Sequence, residues 1–129
     1  HDALPIWMPN INAALGCAQL ENLDRYVADK RETAACYAEF FKGKEDITFF
    51  TEPADCKSNY WLNAVVLKDK AAQLDFLEYT NDHGVMTRPV WELMNRLPMF
   101  EHCETDGLEN TEWLADRVVN IPSSVRLDK

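Results

Sequence analysis

The sequence contains no apolar run that approaches the roughly 20 residues of a membrane-spanning helix, and it does not open on a signal-peptide pattern. Basic residues are also scarce: 13 lysines and arginines stand against 22 aspartates and glutamates, which gives a net charge of −9. Surfaces that bind nucleic acid or anionic lipid need concentrated lysine and arginine. We therefore expect a cytoplasmic protein with no nucleic-acid partner and no membrane contact.

The sequence has four cysteines but no CxxC pair. Cys17 and Cys36 fall in one predicted helix, whose rise separates them by roughly 28 Å, far beyond the reach of a disulfide. His102 and Cys103 are adjacent, but no further ligands stand at metal spacing. We therefore predict free, mostly buried thiols and no metal site.

The first long element is a predicted helix over residues 11–42, which lacks proline and carries apolar residues at helical spacing. Asn10 is a suitable N-cap and Gly43 a suitable stop. The first turns, with Ile11 and Leu15, are apolar and suit close contact with another chain or domain. The alternative is a long surface helix without such a partner.

The rest of the sequence alternates short strands and helices and predicts an α+β fold. Asp69 is the expected N-cap of the second helix, Pro89 places part of the third strand at an edge, and Thr111 is the expected cap of the last helix. The architecture is a small mixed or antiparallel sheet with helices on one face and one long N-terminal helix. Strands are predicted at 47–51, 60–67 and 85–91, and helices at 70–83 and 111–119, with an irregular segment at 92–109.

Four blocks in fixed order resemble the C-terminal small domain of the DegT/StrS sugar-nucleotide aminotransferases. They are Met8–Asn22, Thr87–Trp91, Leu97–Phe100 and Asn120–Ser124. The resemblance covers nearly all of residues 8–127 and implies one domain over 1–129, with a divergent segment at 1–9 and the small domain at 10–129. The last two blocks are most similar to enzymes of legionaminic-acid-type pathways that aminate UDP-linked 4-keto sugars.

The resemblance implies that a complete enzyme binds pyridoxal phosphate on a lysine, takes its amino group from glutamate and forms a dimer with shared active sites. In the family that lysine lies in a large domain upstream, and none of the lysines here stands in its sequence context. The family has a Gly-Tyr-Asn-Tyr-Arg-like segment that reaches the cofactor phosphate. In this sequence Pro5 stands in place of the amide residue of that segment, and Trp7 stands in place of its arginine. We therefore expect no catalytic residue, no cofactor and no transamination from this chain alone.

Two residues are candidates for contact with a substrate. Arg88, at a strand end, could meet a phosphate or carboxylate, and the alternative is a surface ion pair. Trp91 could cover a sugar or a cofactor edge, and the alternative is a half-buried aromatic at a domain boundary. The pair Ser123 and Ser124 is read as a turn, because no histidine and aspartate partners stand nearby.

Three functions remain open at this point. The first is a truncated or free-standing small domain that self-associates, as a homodimer through the first half of the long helix, or acts as an interaction module. The second is a fragment of a pyridoxal-phosphate-dependent UDP-4-keto-sugar aminotransferase of bacterial surface polysaccharide synthesis. The third is a small-ligand binder that keeps only the nucleotide-sugar contacts. An isolated small domain would expose apolar side chains: Leu4, Ile6, Trp7, Met8, Ile11, Leu15, Met94, Leu97, Met99 and Phe100.

Overall fold

A computed structural model of the protein describes residues 8–126 and confirms the α+β class. Along the described residues no helix is both long and apolar enough to cross a bilayer. A single 3₁₀ turn, Met94–Arg96, lies in the irregular segment before the last helix. The helices are α1 (Asn10–Leu20), α2 (Leu23–Phe41), α3 (Lys70–Asp82) and α4 (Glu109–Ala115), and the strands are β1 (Ile47–Phe49), β2 (Asn63–Leu67), β3 (Arg88–Pro89) and β4 (Val118–Ile121).

The sheet has the order β1-β2-β4-β3, and every pair of neighbouring strands is antiparallel. Strands β2 and β3 therefore run parallel to each other, and α3 is the crossover between them. The crossover was predicted from the order of strand, helix and strand. The last strand, β4, lies between β2 and β3, so the chain returns to the centre of the sheet at its C-terminal end.

The predicted extension of the last helix to Val119 is wrong. The helix α4 ends at Ala115, and Val118–Ile121 forms the strand β4. The sequence Val-Val-Asn-Ile has a high strand propensity, and its pairing with β2 buries Val119 and Ile121 completely or nearly so. Thr111 is not the cap of this helix, which begins at Glu109 after Leu108 adopts a left-handed backbone at φ 56°.

The core lies between one face of the sheet and the helices α2 and α3. Alternate residues of β2 and β4 point into it, and Val65 lies directly opposite Val119, with both side chains fully buried. Both helices pack on the same face, as predicted. The core consists of Ala34, Phe49, Val65, Leu67, Val119 and Ile121, and Tyr37, Ala38, Phe41, Ala72, Phe76 and Leu77 pack against it from the helices.

The helix predicted over 11–42 is divided into α1 and α2 at residues 21–22. The Asn22 side chain donates from Nδ2 to the Ala18 carbonyl at 2.9 Å, the acceptor that the Asn22 amide would use in a continuous α-helix. The Asn22 amide bonds instead to the Gln19 carbonyl at 3.1 Å. The asparagine therefore competes with its own backbone and interrupts the helix for one turn.

The predicted ends of the other elements are correct in part. The Asp69 carboxylate accepts from the Ala72 amide at 2.8 Å and caps α3, as predicted. Gly84 follows the helix with φ at +76°, a backbone that favours glycine. The third strand is only Arg88–Pro89, at the edge of the sheet, which suits a proline without an amide donor.

The prediction of buried cysteines is wrong, because all four thiols are exposed and free. Cys17 and Cys36 lie on the helices α1 and α2, which expose most of their surface: α1 has no buried residue and Ala34 alone is buried in α2. The helical spacing of small and apolar residues indicated a buried face. In the structure, however, no part of residues 8–126 covers the apolar face of α1.

One buried polar side chain connects the helices to the central strand. Gln73 is fully buried, and its Nε2 donates to the carbonyls of Ala115 and Val118, both at 2.9 Å. Its Oε1 accepts from Lys70 Nζ at 2.7 Å. The amide of Gln73 therefore holds α3 against the end of α4 and the beginning of β4, where the backbone passes from helix to strand.

We predict that Gln73→Met, which keeps the size of the side chain but removes its donors, lowers the free energy of unfolding by about 2–4 kcal/mol. Two half-buried carbonyls would lose their partner, and an unsatisfied group costs roughly 1–3 kcal/mol where water does not reach it. Urea unfolding followed by circular dichroism measures the change. The matched control is Gln19→Met on the exposed surface of α1, and an equal loss in both variants would contradict the prediction.

Candidate functional site

A cleft of about 510 Å³ lies where the beginning of β2, the edge strand β3 and the end of β4 meet. Residues from the helix α2 and from the turn after β4 complete its wall. No aspartate or glutamate among residues 8–126 lines it, although the chain carries a net charge of −9. We call it the cationic cleft, and its lining residues are Lys30, Trp61, Leu62, Met86, Arg88, Asn120, Ile121, Pro122, Ser123 and Ser124.

Lys30 supplies one positive charge of the cationic cleft. Its Nζ donates to the Ser123 carbonyl and, at 3.5 Å, to the Trp61 carbonyl. The half-buried ammonium group is therefore held in place by two neutral acceptors, and no carboxylate pairs with it within residues 8–126. Its charge remains available to an anion in the cleft.

Arg88 supplies the second positive charge. It is exposed on β3, where its Cα lies opposite that of Asn120 on β4. Its guanidinium contacts the Met86 sulfur at 3.8 Å, a weak acceptor. The surface ion pair that was the alternative prediction is not formed within the described part of the chain. Arg88 thus presents a planar, multidentate donor to the cleft.

The two predicted substrate residues do not come together. Trp91 is 72% exposed in this chain and does not line the cationic cleft. The aromatic side chain at the cleft is Trp61, which is 66% exposed. Sequence analysis placed Trp61 inside a strand, but β2 begins only at Asn63. The preceding polar residues Ser58 and Asn59 were the available signal of a loop.

The loop before β2, residues 50–62, is held by an ion pair with α2. The guanidinium of Arg31 binds both carboxylate oxygens of Glu52, at 2.5 and 2.9 Å, and also donates to the Ser58 carbonyl. The same carboxylate accepts from the Ser58 amide. The bond to Arg31, reinforced by this amide, lowers the pKa of Glu52 from 4.5 to about 2. The loop is thereby tied to the helix that carries Lys30.

Comparison with known proteins identifies the family. The sequence profile of the DegT/DnrJ/EryC1/StrS aminotransferase family matches residues 4–129. The chain belongs to this family. It is similar to EpsN of Bacillus subtilis (strain 168), whose name describes a pyridoxal phosphate-dependent aminotransferase, with 29% identity over 120 residues. It is 28% identical over 118 residues to GDP-perosamine synthase of Escherichia coli O157:H7.

These two relatives are much longer than this family member. Each match covers 90% of the chain but 31% of the relative, so the chain spans about a third of the length of the curated relatives it matches. The fold is similar to that of AtS13 from Actinomadura melliaura, with a TM-score of 0.82 and 24% identity, over 95% of this chain and 32% of that one. Helicobacter pylori PseC, an aminotransferase involved in the biosynthesis of pseudoaminic acid, gives 0.82 at 20% identity, over 92% and 33%.

The family depends on pyridoxal phosphate, which needs a lysine for covalent attachment and a polar partner for its ring nitrogen. Residues 8–126 do not fit this group. Lys30 is bound to carbonyls, and no carboxylate of these residues faces the cationic cleft. Lys42, Lys68 and Lys70 form ion pairs, and Lys44 lies over the Phe40 ring. Lys57 lines a pocket with Glu52, but that carboxylate is bound by Arg31. The described residues also contain no group of three metal-ligating side chains.

This family member exposes much of the apolar surface that was predicted. A second pocket of about 430 Å³, lined by Leu93, Met94, Phe100 and Leu108 among others, opens between residues 92 and 111. Leu97 is half-buried. Leu4, Ile6 and Trp7 lie outside the described residues, as do Pro5 and the rest of the divergent segment before Met8. The remaining predicted residues are exposed: Met8, Ile11, Leu15, Met94, Met99 and Phe100.

The Arg31–Glu52 pair predicts a dependence of stability on acid pH. Because the folded pKa of Glu52 lies below its ordinary value, the pair stabilises the protein above about pH 4.5 and is lost as the pH falls toward 2. We expect Glu52→Gln to be less stable at pH 7 and to lose less stability between pH 5 and 2. Thermal unfolding across this range measures both.

The control for this prediction is Glu45→Gln. Glu45 is exposed and forms no ion pair within residues 8–126. Its variant should follow the wild-type pH profile. A Glu52→Gln variant with an unchanged profile would show that the pair contributes nothing to stability in this range.

Proposed function

We propose that the chain acts as the small C-terminal domain of a sugar-nucleotide aminotransferase and carries out no transamination alone. The observation that carries this proposal is that the chain matches about a third of the length of each relative. In addition, residues 8–126 offer no lysine in the cationic cleft that is accompanied by a carboxylate for the ring nitrogen of the cofactor. In this function the domain supplies a folded support and surface for a partner that holds the chemistry.

The nucleotide-sugar contact of the domain would be Arg88. Its guanidinium has no carboxylate partner among the described residues and lines a cleft without acidic groups. Such a group binds phosphate through two parallel hydrogen bonds. Trp91 would act differently, by covering a sugar or cofactor edge from outside the cleft, because its side chain is exposed and does not line the cleft.

Self-association through α1 is a second part of the proposal. No residue of α1 is buried, and Ile11 and Leu15, one helical turn apart, are 81% and 62% exposed. Gly16 has no atom within 4 Å of where its Cβ would be, so a second helix could approach closely here. A homodimer through α1 would cover this apolar face.

A complete pyridoxal-phosphate enzyme that transfers the amino group of glutamate to a UDP-linked 4-keto sugar is the alternative function. It would require the catalytic lysine on residues outside this chain. In that case the cationic cleft and the apolar pocket at 92–111 would face the remainder of the enzyme. The two functions differ in whether this chain alone can hold the cofactor.

We predict that stoichiometric pyridoxal phosphate added to the chain gives no saturable visible absorbance of the lysine-bound cofactor. The physical reason is that Lys30 lines its cleft without a carboxylate among residues 8–126, and Lys57 shares a pocket with Glu52, whose carboxylate is already bound by Arg31. Absorbance titration and dialysis measure binding, and a full-length relative such as GDP-perosamine synthase is the positive control. A stoichiometric band that survives dialysis would contradict the proposal.

We predict that the chain is a homodimer at tens of micromolar and that Ile11→Asp shifts it to monomer. A charge on the α1 face would have to be desolvated in the interface. Light scattering after size exclusion measures the mass. The control Cys17→Asp places the same charge at an exposed position on the opposite side of the helix from Ile11 and Leu15, and should remain dimeric. A monomeric wild type would contradict the prediction.

A further inference from the structure

We propose that residues 122–126, which we call the C-terminal strap, open and close as a unit over α2, with Arg126 as the latch. The strap follows β4 and belongs to no helix or strand. Its residues 122–124 form one wall of the cationic cleft. Three observations support the proposal: the strap buries little apolar surface, a partly exposed ion pair holds its end, and polar atoms without partners are buried beside it.

The first observation is how little of the strap is buried. Its residues alternate between exposed and half-buried, and the half-buried ones are Ser123 and Val125. In the preceding strand, by contrast, Val119 and Ile121 are buried completely or nearly so. Segments with few buried apolar contacts open at a lower free energy than the core. The strap can therefore separate from α2 while β4 stays paired in the sheet.

Hydrogen bonds to α2 and β2 hold the beginning of the strap. The Tyr37 hydroxyl donates to the Pro122 carbonyl at 3.1 Å, and Lys30 Nζ donates to the Ser123 carbonyl. The Ser123 hydroxyl accepts from the Asn63 amide at 2.7 Å. Water replaces each of these bonds when the strap opens, so each contributes only modestly to the closed state.

The second observation is the ion pair at the other end of the strap. The Arg126 amide and Nε donate to the two carboxylate oxygens of Asp29, each at 3.0 Å, and a further guanidinium nitrogen donates to Glu32 at 3.0 Å. The Asp29 side chain is 11% exposed, whereas those of Arg126 and Glu32 are 39% and 56% exposed. Salt screens charges that solvent reaches. The latch therefore makes the closed state sensitive to ionic strength.

The third observation is a set of buried polar atoms beside the strap. Asn63 is 1% exposed, and neither its Oδ1 nor its Nδ2 has a hydrogen-bond partner within residues 8–126. The Thr33 hydroxyl is also buried without a partner there. Thr33 lies on α2 between the two residues that bind the strap, Lys30 and Tyr37. Buried polar atoms without partners cost free energy, and opening of the strap recovers it by hydrating them.

Opening changes the cationic cleft without moving Arg88. It removes the Ser123 carbonyl, one of the two acceptors of Lys30, and it takes residues 122–124 out of the cleft wall. The closed strap thus fixes both the Lys30 ammonium group and the width of the cleft. This role goes beyond the proposed function, because it does not depend on which ligand the cleft takes.

The test is amide hydrogen exchange of the full 129-residue chain, followed residue by residue by NMR. The Asn63 and Arg126 amides report on the two ends of the strap, and the Val119 amide reports on the sheet. We expect the first two to share one protection factor, about 10-fold or more below that of Val119. Raising the salt to about 1 M, where the Debye length is about 3 Å, should lower both relative to Val119.

The matched variants for the latch are Arg126→Gln and Arg25→Gln. Each removes one positive charge from an exposed residue, but Arg25 lies over the Tyr26 ring and forms no ion pair within residues 8–126. We expect Arg126→Gln to lower the protection of the Asn63 amide about 5-fold and to abolish its salt dependence. Arg25→Gln should retain the wild-type protection and the wild-type response to salt.

Asn63→Leu and Thr33→Val test the buried polar atoms. Both replacements have a similar shape and need no hydrogen bond, so the closed strap no longer buries an unpaired group. We expect Asn63→Leu to raise the protection of the Arg126 amide about 10-fold and Thr33→Val to raise it by a smaller factor. Circular dichroism verifies that each variant is folded.

Other results overturn the inference. If the Arg126 amide is as protected as that of Val119, the strap belongs to the cooperative core. Different protection factors or salt responses at Asn63 and Arg126 would show that the strap does not open as a unit. Equal losses in Arg126→Gln and Arg25→Gln would exclude the latch. Unchanged Arg126 protection in both Asn63→Leu and Thr33→Val would show that the strap does not cover the buried atoms. The cofactor and light-scattering measurements decide the proposed function independently of all these results.

Discussion

The pairing of β4 between β2 and β3 is the interaction on which the other features of this domain depend. It brings Val119 against Val65 and completes the core, in which both side chains are fully buried. It also joins the edge strand β3 to the sheet, and so brings Arg88 level with Asn120. The turn after β4 carries Ser123, whose hydroxyl accepts from the Asn63 amide at 2.7 Å. Without this strand, neither the core nor the cleft would exist.

The cationic cleft shows how an acidic chain can present a local positive surface. Half of the basic residues of the described part form ion pairs with carboxylates, as in Arg31–Glu52 and the contacts of Arg126 with Asp29 and Glu32. The residues of the cleft instead use carbonyl and sulfur acceptors, which hold a cation in position but do not neutralise it. A net charge of −9 therefore says little about this surface. The charge that a ligand meets depends on which cations remain unpaired.

Much of the fold was predictable from local signals. Asp69 caps α3, Gly84 follows that helix, and Pro89 occurs on the edge strand, because each requirement involves only a few neighbouring atoms. The family resemblance, which depended on the order of four blocks, was confirmed by the match over residues 4–129. The errors concern β4, whose strand form depends on pairing with β2, and the division of the long helix, which depends on one Asn22 side-chain bond.

The candidate site likewise contains one residue that the sequence could indicate and others that only the structure brings to it. The residue type and strand-end position of Arg88 were enough to select it, because a guanidinium is a donor for anions wherever it is exposed. The amino-acid sequence alone also determined the family and the α+β class, through composition, capping residues and block order. Tertiary structure decided the partners of Arg88. Lys30 and Trp61 come from a helix and a loop that are distant along the chain, and only the packing of α2 against the sheet brings them to one cleft. Trp91 is close to Arg88 in sequence but follows the end of β3 at Pro89, where the sheet no longer fixes its position, and it does not line the cleft.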